Sequence, residues 1–216
     1  MNILIIGAGP GLSRSVSNLF GQKGFNVSLV ARNEQKLQQE IKELEAKNIK
    51  ANYKVLDACD ENSFTAFLEN LKSSESFPDV ILYNAFAYTQ NGIENETWDS
   101  LKNQLDVNVG AAFSVLKTTL PIMMKNNYGK LFFTGGGFGI DPSPDLIGLS
   151  MGKAALRNLV HAAAKNVAGS NVHVATLTVC GFIGGSDSKY APDEIAKRYW
   201  ELFEQTQENF EVEIQY

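Results

Sequence analysis

The chain opens Asn2-Ile3-Leu4-Ile5-Ile6-Gly7-Ala8-Gly9-Pro10-Gly11-Leu12-Ser13-Arg14. An apolar run of strand length passes directly into a glycine-rich turn and then into a helical pattern over Leu12–Gln22. Glycine lets a backbone turn sharply and come close to a pyrophosphate, which the free N–H groups and dipole of the following helix stabilise. In this setting Gly7, Gly9, Gly11 and Leu12 read as a phosphate-binding loop. A ligand-free glycine turn is the plainer alternative.

Outward from that loop the pattern repeats. Strand-length apolar runs at Asn2–Ile6, Asn26–Val30, Ala51–Leu56, Val80–Leu82, Lys130–Thr134 and Val172–Val179 alternate with helical spacing near Glu34–Lys47, Glu61–Leu71, Thr97–Met124 and Met151–Ala168. Such alternation predicts crossover units on a parallel sheet, hence an α/β, Rossmann-type doubly wound fold in three layers, α/β/α. Pro192-Asp193-Glu194 suits a helix start, and Ile195, Tyr199, Leu202 and Phe203 recur at helical spacing, predicting a helix over Pro192–Gln205. That helix lies over the ligand cleft or packs as plain core. Phe210–Ile214 alternates with period two and reads as a final edge strand.

Composition bounds the rest. The 216 residues carry 44% hydrophobic and 20% charged side chains, the balance of a soluble globular protein, with no linker-like segment to divide residues 1–216 into two domains. A formal charge of −5 without a basic stripe argues against nucleic acid as a partner. The apolar start breaks at Gly7, too short for a membrane span or signal peptide, which predicts a cytoplasmic protein with no membrane partner. Cys59 and Cys180 lack metal-ligand spacing, so no metal site is expected and both read as buried free thiols.

The second strand ends Val30-Ala31-Arg32-Asn33, without the acid that would accept a hydrogen bond from a ribose 2′-hydroxyl. Arg32, and Arg14 after the glycine loop, offer guanidinium groups to a 2′-phosphate instead, which favours NADP(H) over NAD(H). Two solvated surface arginines are the alternative.

Taken together, the glycine loop, Leu56-Asp57-Ala58 after the third strand, Tyr83-Asn84-Ala85-Phe86, Val107-Asn108-Val109 and Gly152-Lys153-Ala154-Ala155-Leu156 resemble the short-chain dehydrogenase/reductase family over nearly the whole chain. The resemblance implies cofactor contacts at Asn33, Asp57, Ala58, Asn84, Ala85, Gly181 and Ile183, with Asn108 and Lys153 on the reacting side and Lys153 on the nicotinamide ribose. It also implies a small-molecule substrate and pairing of the Thr97–Met124 and Met151–Ala168 helices into a homodimer or homotetramer. Ser13 stands where the family has its third glycine, and Cys180-Gly181 where it has Pro-Gly.

The family's proton donor is a tyrosine four residues before the helix lysine, or seven in its enoyl reductases. Here those positions are Leu149 and Leu146. The serine that polarises the substrate carbonyl corresponds to Gly136, within Thr134-Gly135-Gly136-Gly137. A positioned acid–base group contributes about 10²–10⁴-fold, so ordinary ketone reduction is expected to be weak. Tyr83, Tyr88, Tyr190, Thr134, Asp141, Ser143 and Ser150 are candidate substitutes, and none is singled out. The glycine run leaves room and exposes N–H groups for a substrate oxyanion, or is simply a tight turn. His161, among alanines, reads as an interface or surface histidine. The residues thus point to an NADP(H)-dependent oxidoreductase with a non-standard centre acting on a small carbonyl or activated alkene, or to a catalytically silent NADP(H)-binding sensor or scaffold.

Overall fold

A computed structural model describes residues 1–72 and 77–216. Among the described residues seven strands form one sheet: β1 (Asn2–Ile6), β2 (Asn26–Ala31), β3 (Ala51–Val55), β4 (Val80–Tyr83), β5 (Gly129–Gly136), β6 (Val172–Val179) and β7 (Glu213–Gln215). Their order is β3-β2-β1-β4-β5-β6-β7, every pairing parallel. The order reverses direction between β1 and β4, the place where α/β sheets open a crevice at their carboxyl ends.

Alternate strand residues face opposite layers. Ile3 and Ile5 pack on the side of α1 (Leu12–Gln22), α2 (Glu34–Glu45) and α7 (Pro192–Glu204). Leu4 and Ile6 pack on the side of α3 (Glu61–Lys72), α5 (Ala112–Asn126) and α6 (Ile147–Asn166). With both faces covered, β1 and β4 are apolar almost throughout, as buried parallel strands require, and β6 is buried along its whole length with His173, Thr176 and Thr178 among its apolar residues.

The expected helix over Thr97–Met124 is not a single regular element. It divides into α4 (Trp98–Leu105), a π-helical stretch at Asp106–Ala111, and α5. The run Trp98–Asn126 is long and apolar enough to cross a membrane, yet 56% of its most apolar window is buried inside the protein, as in a core helix. α6 begins at Ile147, one turn before the expected Met151, so the motif lysine sits inside the helix and not at its mouth.

α7 lies on the sheet against α1, where Ile195, Ala196, Tyr199 and Leu202 are buried and Trp200 and Phe203 meet Phe20 edge to face. Core packing therefore accounts for its apolar face. The terminal strand is shorter than expected and shifted to Glu213–Gln215; Phe210 instead stacks on His173, ring centroids 4.1 Å apart. Glu213 anchors this edge, accepting from Arg157, His161 and Thr178.

Candidate active site

Gly7 ends β1 with φ +89°, and a Cβ there would collide with the backbone of Ala85. Only glycine lets the loop pass so near β4. Gly9 and Gly11 face open space, leaving their backbones approachable. Ser13, in place of a third glycine, folds back on the loop: its hydroxyl donates to the Gly9 carbonyl at 2.8 Å and accepts from the Gly9 N–H at 2.7 Å. The serine fits by becoming a tie within the loop.

A cavity of about 260 Å³ opens beside this turn at the carboxyl ends of β1, β2 and β4. Gly7, Ala8, Gly9 and Pro10 form one wall; Arg32, Asn33 and Lys36 a second; Asp57, Ala58, Asn84, Ala85 and Phe86 the remainder. Arg32 Nη1 lies 3.8 Å from Asp57 Oδ2, and both side chains are substantially exposed. Asn33 caps α2, its side chain accepting from the Lys36 N–H at 2.9 Å. Lys36 thus stands in the first turn of α2, one turn beyond Arg32. The sequence reading missed it, although its four-residue spacing from Arg32 was visible.

Arg14 departs from expectation. Its guanidinium lies 3.4 Å from Glu43 and 3.9 Å from the nearly buried Glu40, and it does not line the cavity. Burial raises the Glu40 pKa, and the facing Arg14 charge opposes that rise. The acids of α2 therefore hold the arginine away from the cavity. Leu12 turns into the core, so only its backbone is available at the start of α1. Gly181 packs under Tyr190, and Ile183 against the apolar cluster on the α1 side; neither lines this cavity.

The remaining motif residues converge at the ends of β4 and β5. Asn84 donates to the Gly7 carbonyl at 3.1 Å and accepts from the Thr134 hydroxyl at 2.8 Å. Thr134 Oγ1 lies 2.7 Å from the hydroxyl of Tyr199, which is fully buried and whose pKa burial pushes up. Lys153 Nζ donates to the Thr134 carbonyl at 2.8 Å, and burial pushes its pKa down to about 8. Asn108 sits within the π-helical turn, where its amide both accepts from the Ala87 N–H and donates to the Ala87 carbonyl. A Cβ on Gly152 would come within 2.7 Å of Asn108, so the glycine permits α6 to approach the π turn.

Tyr83, Thr134 and Ser150, among the possible replacement donors, are otherwise engaged. Tyr83 is buried and donates to the Val107 carbonyl. Ser150 donates to the Leu146 carbonyl, and its hydroxyl accepts from the Ser143 N–H. Tyr190 lies against Gly181 and Tyr216. Tyr88 is exposed and stacks on Phe86, centroids 6.0 Å apart and planes 10° from parallel. Leu149 and Leu146, half-buried, supply no polar atom beyond their backbone.

The glycine run is mostly strand. Gly135 and Gly136 extend β5 opposite Thr178 and Val179, beyond the expected end at Thr134. Gly135 has no room for a side chain, because a Cβ would meet the hydroxyls of Thr176 and Thr178 at 2.7 Å. At Gly136 a Cβ would make ordinary contact with the Lys153 side chain at 3.5 Å. Both cysteines, expected to be buried, are exposed in loops: Cys180 one residue past β6, and Cys59 before α3. Among the described residues no cluster of His, Cys, Asp and Glu could hold a metal ion.

Residues 1–191, which hold the glycine loop, Asn108 and Lys153, match a known family model, described as short chain dehydrogenase. The chain belongs to the short-chain dehydrogenase family. Among its curated relatives, the 3-oxoacyl-[acyl-carrier-protein] reductase FabG of Thermotoga maritima is 26% identical over 195 residues, spanning 88% of this chain and 77% of that protein. A short-chain dehydrogenase from Rhodopseudomonas palustris superposes with a TM-score of 0.87 at 24% identity, covering 100% of this chain and 97% of the other. A metagenomic short-chain oxidoreductase solved in complex with NADP gives 0.89 at 22% identity, covering 100% and 96%. Such distant structural likeness establishes the fold.

Proposed function

We propose that this short-chain dehydrogenase is an NADP(H)-dependent oxidoreductase with a non-standard reaction centre, acting on a small carbonyl or activated alkene. The observation that carries the cofactor choice is the cavity wall at the end of β2, where Arg32 and Lys36 stand and no carboxylate occupies the position that would receive a ribose 2′-hydroxyl. The donor set fits the group: two cations for the 2′-phosphate, and glycine backbones with open space above Gly9 and Gly11 for the pyrophosphate.

In this reading Gly7, Gly9, Gly11 and the backbone of Leu12 hold the pyrophosphate, and Arg32 and Lys36 the 2′-phosphate. Asn33 shapes that wall, while Asp57 and Ala58 border the adenine and Asn84 and Ala85 the adjoining ribose. Lys153 binds the nicotinamide ribose, Gly181 and Ile183 the carboxamide, and Asn108 keeps the Ala87 loop in place. Bound there, the cofactor supplies a hydride. The metagenomic relative crystallised with NADP lends support by analogy.

A titration of the chain with NADPH and NADH, read by nicotinamide fluorescence, tests the proposal. NADPH should bind at least about tenfold tighter, the weight of one charge-assisted contact. No binding at about a millimolar, the upper end of ordinary working concentrations, would sink it.

A second reading has its own support. Leu149 and Gly136 leave the lysine without the family's proton-donating partners, which suits a protein that binds NADP(H) to sense or scaffold. Binding without turnover on a broad carbonyl and enal panel distinguishes it. Either reading accommodates assembly of two or four copies through α4, α5 and α6, where Trp98, Phe113 and Met151 are exposed in the single chain; light scattering gives the copy number.

A further inference from the structure

The buried face of α7 is Ile195, Ala196, Tyr199 and Leu202, and Tyr199 brings a hydroxyl into it. Its ring packs in the same core cluster as Phe132, with centroids 6.3 Å apart. A phenylalanine would fill that space without the cost of taking a hydroxyl out of water. Core packing therefore explains the ring and not the oxygen. That oxygen lies 2.7 Å from Thr134 Oγ1, which is itself buried in β5.

Each bond from this pair to the glycine loop has one possible direction. The Gly7 carbonyl can only accept, so the Asn84 amide turns its nitrogen toward it, at 3.1 Å. Asn84 Oδ1 then faces Thr134 Oγ1 at 2.8 Å, and the threonine donates its one hydrogen there. Tyr199 is left as the donor to Thr134. Donation thus runs one way, from Tyr199 to Thr134, from Thr134 to Asn84 and from Asn84 to Gly7. At the other edge of the same peptide, the Ala8 N–H donates to the Val30 carbonyl at 3.0 Å. The Gly7–Ala8 peptide plane is pinned on both sides immediately before the phosphate-binding turn.

Resting on the cofactor reading above, we infer that Thr134 and Tyr199 are positioning residues for the nucleotide: they hold the Asn84 amide in one orientation and, through it, the peptide from which the turn departs. Without the threonine hydroxyl, Asn84 Oδ1 loses its donor and the amide gains a second orientation, in which the Gly7 carbonyl is left unpaired. Neither side chain lines the cavity, and the 2′-phosphate wall at Arg32 and Lys36 is separate from them, so the tie serves NADPH and NADH alike. The hold of Lys153 on this strand uses the Thr134 backbone carbonyl, which a side-chain replacement leaves in place.

The test titrates NADPH and NADH into the full chain and its variants, read by nicotinamide fluorescence, with urea midpoints to follow folding. Thr134→Val, similar in shape but without the hydroxyl, should weaken both nucleotides roughly 5- to 10-fold, about the weight of one hydrogen bond. Thr134→Ser keeps the hydroxyl and should stay within about twofold of the parent. Tyr199→Phe should weaken both nucleotides about 2- to 5-fold, and adding it to Thr134→Val should bring no further loss, because the chain of donors is already cut. A plain packing role would lower the urea midpoint and leave both dissociation constants within about twofold. That result, or a loss confined to NADPH, overturns the inference while the cofactor reading stands. Should Thr134→Val fail to fold, Tyr199→Phe decides alone. Failure of the parent chain to bind NADPH overturns both.

Discussion

Two glycines at the carboxyl ends of β1 and β5 are small for different reasons. At Gly7 a side chain has nowhere to go, because β4 passes so close that a Cβ would overlap the Ala85 backbone, and the positive φ adds strain for any other residue. At Gly136 a Cβ would meet only the flexible stem of Lys153 at ordinary contact distance. Packing demands the first glycine and permits a larger residue at the second. The glycine loop is thus built under steric constraint, whereas the end of β5 has room for a side chain that the sequence does not place there.

The comparison breaks most visibly at Gly7. Gly7→Ala should cost about 3 kcal/mol or more through overlap and backbone strain, read as a large fall in the urea midpoint or as insoluble protein. A variant that folds and binds NADPH normally would show that the loop does not need its close approach. At the other end, Gly136→Ser with Leu149→Tyr should fold and gain about 10²-fold or more in reduction of simple ketones, followed through NADPH absorbance. A well-folded double variant still inert toward ketones would mean that more than two side chains are missing.

A smaller effect is expected on the cavity wall. Arg32→Ala and Lys36→Ala should each weaken NADPH roughly 10-fold and leave NADH nearly unchanged, while Arg14→Ala, removing a charge that faces Glu40 and Glu43, should not discriminate between the two. Equal losses for both nucleotides would remove the 2′-phosphate assignment.

The smallest effect concerns protons. Burial lowers the pKa of Lys153, and of Lys130 at the opposite end of the sheet, to about 8 in the folded chain. Between that value and the ordinary 10.5 the unfolded chain holds protons that the folded one has released, so stability rises with pH across this window. The rise should be on the order of 1 kcal/mol per pH unit, and Lys153→Met should remove about half of it in urea denaturation. An unchanged slope would show that the lysine is not desolvated.

Most of the frame was legible because it is written locally. The strand, glycine turn and helix at Asn2–Gln22 are contiguous, and the alternation that follows needs only short windows. The place of Arg32 in the cavity wall was readable because it directly follows β2. What escaped the sequence depends on distant partners. The direction of Arg14 is set by acids on α2, the hydroxyl of Tyr199 finds Thr134 across 65 residues, and the Phe86 ring reaches Lys153 from another element. The broken helix around Asn108 also escaped, since Asp106–Ala111 has no proline and the π turn is held by bonds to Ala87. Cysteine burial was misjudged because composition cannot tell the end of a strand from the loop one residue beyond.

The tie between Ser13 and Gly9 alters how a nucleotide would be received. A third glycine would leave the turn free to sample many conformations, each residue giving up about 1–2 kcal/mol of entropy when a ligand fixed it. Here the hydroxyl engages both the donor and the acceptor of Gly9, so that ordering is completed when the chain folds. The loop offers a phosphate one N–H fewer and arrives at the encounter already rigid. Recognition at this end exchanges a contact for preorganisation.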